Sequence, residues 1–333
     1  MIENKIVIRP EKLITKYLTM AHKEASHYIE PKTSGIKSKM GNEAITCQGC
    51  EELLDCSEIS GYKRCSSCGS FNSSPRLKPE LIKDLWDEGK SADFFHKFIY
   101  PASIENRKIF LQKRFKNMIN HIKKGKILEV GCARGLYLDI LKQNGFCAEG
   151  VEVLQYPVQC CLEKGHFIYK DSIENVRLKK NYDAVVAWEV LSHIENLTAF
   201  FDNIHRCLKG GGFLFITISN ATALEYDDIW EDGIRHHDNF QPHIFLQIFS
   251  LNGIKKLLNK NGFNIIEMTT PGEMDVQNIY ETAMRLNKKF NCDFFNDLFL
   301  NKKKNSQVHT NFQLFLQSNG YSGHCYVVAQ KQN

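Results

Sequence analysis

Residues Lys126 to Val153, KILEVGCARGLYLDILKQNGFCAEGVEV, constrain the fold of this chain more than any other stretch. The apolar run Ile127-Leu128-Glu129-Val130 predicts a strand that stops at Gly131. Gly131 and Gly135 bracket a tight turn, and Leu136, Leu138, Ile140 and Leu141 give the apolar stripe of a helix after it. A second strand ends at the acid Glu152. Strand, glycine turn, helix, strand and acid make a mononucleotide-binding βαβ half. The glycines let the backbone approach the ligand, and the acid takes ribose hydroxyls. The stretch therefore predicts an α/β fold that binds an adenosine-containing cofactor.

A dinucleotide needs a Gly-x-Gly-x-x-Gly turn around its pyrophosphate. Here the turn is Gly131-Cys132-Ala133-Arg134-Gly135, preceded by Glu129. Glu129-x-Gly131-x-x-x-Gly135 resembles motif I of the class I S-adenosylmethionine-dependent methyltransferases, with Ala133 where that family usually has a third glycine. The resemblance implies that the loop with Cys132 faces the methionine part of the cofactor and that Glu152 holds its ribose. It also places Asp171-Ser172, after the short strand Phe167-Ile168-Tyr169, beside the adenine amino group. Further on, Asn181 to Asn220 is similar to the family pattern "FD-V-----LEH----------LKPGG----", with Ser192 for the usual acid and Gly210 for the usual proline. Within it, Ala184 to Ala187 predicts a buried strand ending near Trp188, another candidate cofactor contact. Ile194 to Leu208 predicts a helix, Gly210-Gly211-Gly212 a turn, and Phe213 to Ile218 a further strand. The fold expected is a Rossmann-like seven-stranded methyltransferase sheet.

Twelve cysteines would be heavy for a cytosolic protein if they were scattered. Cys47-x-x-Cys50 and Cys65-x-x-Cys68 instead form two knuckles fourteen residues apart, each offering two thiolates from a tight turn. With no export signal in MIENKIVIRPEK, disulfides are disfavoured and a structural zinc is the expectation. Cys56, between the knuckles, is a rival ligand. Cys147, Cys160, Cys161, Cys207 and Cys325 read as small buried hydrophobes. The run from Cys65-Ser66-Ser67-Cys68-Gly69 to Pro75-Arg76 resembles a group of bacterial methyltransferases in which such a ribbon precedes the catalytic domain. Many of that group act on sugars in surface-glycan pathways. Gln241-Pro242-His243-Ile244 and Pro271-Gly272-Glu273-Met274-Asp275-Val276 resemble its "P-HL--F" and "TPG-LDV" blocks.

The organisation expected is a helical extension over 1–40, a zinc ribbon over 41–78, a helical connector over 79–122 and a methyltransferase domain over 123–333, with a helical insertion at about 271–322. A composition 43% hydrophobic supports a proper core. The net charge of +5 over 333 residues, without a polybasic block, argues against nucleic acid as the partner. No apolar run approaches the ~20 residues that span a bilayer. A cytoplasmic enzyme with a small-molecule or glycan acceptor is therefore expected, and nothing in the sequence sets its oligomeric state.

In an open α/β sheet the ligand lies at the carboxyl ends of the strands. His193 follows one such end and His243 lies in the long excursion from Ala221 to Phe249, so these two imidazoles are the candidate general bases. Tyr226, Trp230, Phe240 and Phe245 in that excursion suggest a substrate lid. The expected function is methylation of a sugar or nucleotide-linked sugar. The competing readings are an rRNA methyltransferase with a zinc module and a non-catalytic cofactor-binding protein.

Overall fold

The computed structural model describes residues 11–29, 44–54, 58–59, 61–76, 89–178, 181–236, 240–242, 244–301 and 306–332. Cys56 and His243 lie outside the described residues, as do 30–43 and 77–88 of the expected extension, ribbon edges and connector. The strands are β1 (Glu58–Ile59), β2 (Tyr62–Arg64), β3 (Phe71–Ser73), β4 (Lys126–Val130), β5 (Cys147–Glu152), β6 (Phe167–Lys170), β7 (Tyr182–Trp188), β8 (Leu208–Ser219), β9 (Gln247–Ile248), β10 (Phe263–Thr269) and β11 (His324–Lys331). Seven of them form one sheet in the order β10-β11-β8-β7-β4-β5-β6, and β1, β2, β3 and β9 form a second. The chain divides into two compact units, Met1–Gly41 with Leu77–Val185 and Asn42–Arg76 with Val186–Asn333.

In the first unit β4 runs parallel to β5, and β5 parallel to β6. Ile127, Leu128 and Val130 are almost fully buried. A parallel strand covered on both faces carries such continuous apolar runs. The helix Leu136–Gln143 follows β4 and buries Tyr137, Leu138, Ile140 and Leu141. The helix expected near the N-terminus is present as Glu11–Ile29, and Glu24 accepts hydrogen bonds from the backbone of Lys90 and Ser91 at the start of the helix Lys90–Phe94. The connector continues through a π-helical turn, Phe95–Ile99, to the helix Ile104–Met118.

In the second unit β11 lies antiparallel between β8 and β10. The Gly210–Gly212 stretch expected as a turn falls within the span of β8 but keeps a left-handed residue, Gly211 at φ 68°, and pairing with β11 begins only at Phe213. The Gln330 side-chain amide donates to the Gly211 carbonyl at 2.9 Å. The helix Leu197–Cys207 buries Leu197, Phe200, Phe201, Ile204 and Cys207, and the Asn196 side chain caps it by accepting from the Ala199 N–H at 3.0 Å. Between β10 and β11, the helices Asp275–Leu286 and Gln307–Ser318 share a core with Trp230, Phe290, Leu298 and Phe299.

The cysteine ribbon belongs to this second unit. Its strand β3 pairs antiparallel with β9, Phe71 against Ile248 and Asn72 against Gln247. Tyr62, Phe71, Ala221, Ala223, Tyr226 and Ile248 form one buried cluster, with Phe240 and Phe245 packed on it. Tyr226 and Phe240 therefore fasten the ribbon to the excursion, and Trp230 stacks on Phe290 in the insertion core. These aromatics are core and not a lid. Of the cysteines expected to be buried, Cys147 is exposed and Cys160 half-buried, while Cys161, Cys207 and Cys325 are buried.

The contact is close at Gly253. A Cβ there would sit 2.2 Å from the Ser70 hydroxyl oxygen, which accepts from the Ser250 N–H at 3.0 Å. Exposed helical glycine gains from replacement by alanine. Gly253→Ala is expected to do the opposite and lower stability by about 1–3 kcal/mol through overpacking. Equilibrium urea unfolding checks the sign, and a stabilised variant would contradict the tight seat of the ribbon.

Candidate functional site

The turn after β4 holds three left-handed residues, Gly131 at φ 68°, Ala133 at 47° and Gly135 at 72°. Ala133 occupies a conformation that favours glycine, the residue the resembled family usually has at this position. A Cβ on Gly135 would meet the Cys161 sulfur and the His166 ring at 3.1 Å. Gly131 and Cys132 donate their N–H groups to the Val151 carbonyl, so the turn is tied to the end of β5.

Glu152 completes that tie. Its Oε2 accepts from the Ala133 N–H at 2.9 Å, and its Oε1 accepts from the N–H groups of Val153 at 2.8 Å and Leu154 at 3.0 Å. The sequence suggested a ribose acceptor alone. The structure adds that this carboxylate joins β5 to the glycine turn. Glu129 is buried, and its Oε2 has no hydrogen-bond partner among the described residues. Burial, then the neighbouring Cys161 and Glu152, pushes its carboxyl well above the usual range. A buried polar atom without a partner is costly. A donor-rich ligand at this turn, such as the amino acid part of S-adenosylmethionine, fits it. Cys132 is buried beneath the turn, its sulfur 2.7 Å from where a Cβ on Gly150 would lie. Asp171 is exposed after β6, and its Oδ1 accepts from the Ser172 N–H at 2.8 Å. Glu129, Gly131, Cys132, Gly135, Glu152, Asp171 and Ser172 all belong to the first unit.

Trp188 lies in the second unit, at the end of β7, and its ring stacks on Tyr326 at 6.3 Å. His193 ends a 3₁₀ turn, Leu191–His193. Its Nδ1 is 2.8 Å from the Ile244 carbonyl and its ring packs on Phe245. Burial lowers its pKa. That turn is held by the buried Gln247 of β9, whose Nε2 donates to the carbonyls of Leu191 at 2.6 Å and Ile194 at 2.7 Å. Sequence reasoning gave Gln247 no role, because the β3–β9 pairing joins residues about 175 apart in the chain.

The sulfurs of Cys47, Cys50, Cys65 and Cys68 lie within 4.8 Å of one another. Cys47–Cys68 and Cys50–Cys65 are each at 3.5 Å, near the ~3.8 Å edge of a tetrahedron with Zn–S bonds of about 2.3 Å. The Gly49 N–H and the Asn72 side-chain amide both donate to the Cys47 sulfur, while the contact with Cys68 and burial push the Cys47 thiol up. The contact with Cys47, and then Ser70, holds Cys68 low, at about 4. Both knuckles are closed by short backbone bonds, Glu51 N–H to Cys47 O and Gly69 N–H to Cys65 O, each 2.8 Å. The donor set is that of a four-cysteine zinc site.

A family model described as a methyltransferase domain matches residues 104–268. A ubiquinone biosynthesis O-methyltransferase of Rickettsia conorii is 33% identical over 125 residues, 36% of this chain and 43% of that protein. One from Rickettsia bellii is 30% identical over 166 residues, 47% of this chain and 66% of that protein. The chain thus spans less than two thirds of either relative. A solved phosphoethanolamine N-methyltransferase 2 of Haemonchus contortus is 18% identical, with a TM-score of 0.49 over 78% of this chain and 63% of that one. Residues 104–268 are thus similar to a methyltransferase domain, and the seven-stranded sheet is of the Rossmann-like methyltransferase type. The relatives' names are those of ubiquinone enzymes and not of the glycan group that the ribbon and proline blocks resemble. The ribbon lies outside the residues that the family model matches.

Proposed function

We propose that this protein is an O-methyltransferase that moves the methyl group of S-adenosylmethionine to a ring hydroxyl of a small molecule. The observation that carries the reading is the first-unit cradle. There the glycine turn, the unpartnered oxygen of Glu129 and the backbone-anchored carboxylate of Glu152 suit a cofactor that offers an amino group and a ribose diol. Glu129 and the Gly131–Gly135 turn would hold the methionine part, Glu152 the ribose, and Asp171 with Ser172 the adenine. The bound cofactor supplies an electrophilic methyl on a sulfonium. The relatives' names support oxygen as the acceptor atom. The ribbon and the Pro271–Val276 block resemble enzymes that act on sugars, and a ring hydroxyl is common to both indications. A small acceptor, and not nucleic acid, is supported by the modest +5 charge. The four cysteines hold zinc as a structural ion. No helix among the described residues is long and apolar enough to cross a membrane.

The test is transfer of isotopically labelled methyl by the full chain to two acceptor panels, aromatic diols and nucleotide-linked sugars. Label recovered as a methyl ether is the expected result. Label recovered on nitrogen or carbon would overturn O-methylation.

A further inference from the structure

Two acids of the first unit adjoin the glycine turn, and the fold treats them differently. Glu152 accepts from the N–H groups of Ala133, Val153 and Leu154, an arrangement that suits a negative charge. Glu129 stands in β4 opposite Gly150 of β5 and is only 4% exposed. Its Oε2 has no hydrogen-bond partner among the described residues. A carboxylate buried with an oxygen that meets no donor is far more costly than the neutral acid in the same place.

The groups around Glu129 are mostly acids. Cys161 acts on it from the helix Gln155–Glu163, Glu152 from the end of β5, Asp139 from the helix Leu136–Gln143 and Arg114 from the helix Ile104–Met118. Tyr100 of the connector and Cys132 of the turn also feel its charge. Asp139 is engaged by Lys164 and His166, each at 2.7 Å. Burial, then Cys161 and Glu152, push the Glu129 carboxyl up, and Arg114 opposes them without outweighing them. The chain alone therefore favours the neutral acid.

We propose that binding of S-adenosylmethionine or S-adenosylhomocysteine drives a proton off Glu129, so that cofactor loading strengthens as pH rises, an inference that rests on the cofactor assignment of the proposed function. Both ligands carry an α-ammonium group. Set against Oε2, it supplies the donors and the opposite charge that the protein itself does not offer that oxygen. The Glu129 carboxyl loses its proton to water and the ammonium keeps its own three. A charge-assisted pair replaces a buried neutral acid. By linkage, a ligand that binds the carboxylate binds more weakly wherever the free protein holds the acid, by up to about tenfold per pH unit. The same step selects for an amino group. A nucleoside with the ribose diol but no α-ammonium reaches Glu152 and gains nothing at Glu129.

The experiment titrates S-adenosylhomocysteine into the full chain by calorimetry. As pH rises above the ordinary glutamate value of about 4.3, wild-type affinity is expected to climb until Glu129 ionises in the free protein, and then to level. Within the climbing range, two buffers of different ionisation enthalpy are expected to give different binding heats, the mark of a released proton. 5′-Methylthioadenosine shares the ribose diol and lacks the amino acid part, and it is expected to release none. Glu129→Gln has no proton to lose there, and its affinity for S-adenosylhomocysteine is expected to lose the wild-type slope. The two-buffer comparison needs no variant, so it decides the matter even if Glu129→Gln misfolds. Equal wild-type heats in both buffers throughout, or the wild-type slope retained in Glu129→Gln, would overturn the proposal and leave the cofactor assignment standing. If the wild type fails to bind S-adenosylhomocysteine at any pH, that assignment itself falls, and this proposal with it.

Discussion

Cys65→Ser is expected to strip zinc from the protein and unfold the ribbon. The strands β1, β2 and β3 are two to three residues long, too short to stand without a staple. Structural zinc supplies about 10–16 kcal/mol of apparent binding free energy in small ribbons, as much as the whole stability of a typical domain. Loss of one ligand from four sulfurs held within 4.8 Å removes most of it. The effect should travel further than the ribbon. Tyr62 and Phe71 would leave their cluster with Tyr226 and Ile248, and β9 would lose its partner. Gln247 then loosens its hold on the Leu191–His193 turn. Elemental analysis is expected to give one zinc per chain in the wild type and none in the variant. Hydrogen exchange is expected to rise over both 61–76 and 244–250. Metal-free wild type with a protected ribbon would remove zinc from the account, and zinc lost in Cys56→Ser but retained in Cys65→Ser would change the ligand set.

Glu152→Ala is expected to lower the affinity for S-adenosylhomocysteine by about 10²-fold or more. Two charge-assisted hydrogen bonds to the ribose diol contribute roughly 1.5–3 kcal/mol each, and every 1.4 kcal/mol is about a factor of ten. The mutation also leaves the N–H groups of Ala133, Val153 and Leu154 without their carboxylate acceptor, so the glycine turn loses its fastening to β5. Glu152→Gln keeps an acceptor oxygen and is expected to fall between the two. Calorimetric titration measures all three proteins. An unchanged affinity in Glu152→Ala would take Glu152 out of the site.

The β4–helix–β5 unit was legible in the sequence because it is local. Strand, turn, helix and acid lie within 28 consecutive residues, and Gly131, Gly135 and Gly145 mark backbone angles that other residues avoid. The cysteine knuckles were legible for the same reason, since two C-x-x-C turns state their chemistry by spacing. What the sequence hid is non-local. Tyr226 and Phe240 look like lid residues until Tyr62 and Phe71, more than 150 positions earlier, are seen to pack on them. Glu189 and His324 are 135 residues apart and become a pair only through the register of β8 and β11. His193 follows a strand end, and its ring packs against Phe245 with Nδ1 at the Ile244 carbonyl, contacts that lie about fifty residues further along the chain.

The central claim is that the Glu129–Gly135 turn and Glu152 form the cofactor cradle of a methyltransferase. A crystal structure of the full chain with S-adenosylhomocysteine tests it most directly. The expected result is the ribose diol on the Glu152 carboxylate and the amino acid part against Glu129 and the Gly131–Gly135 turn. A ligand bound elsewhere, or one whose ribose leaves Glu152 untouched, would contradict it.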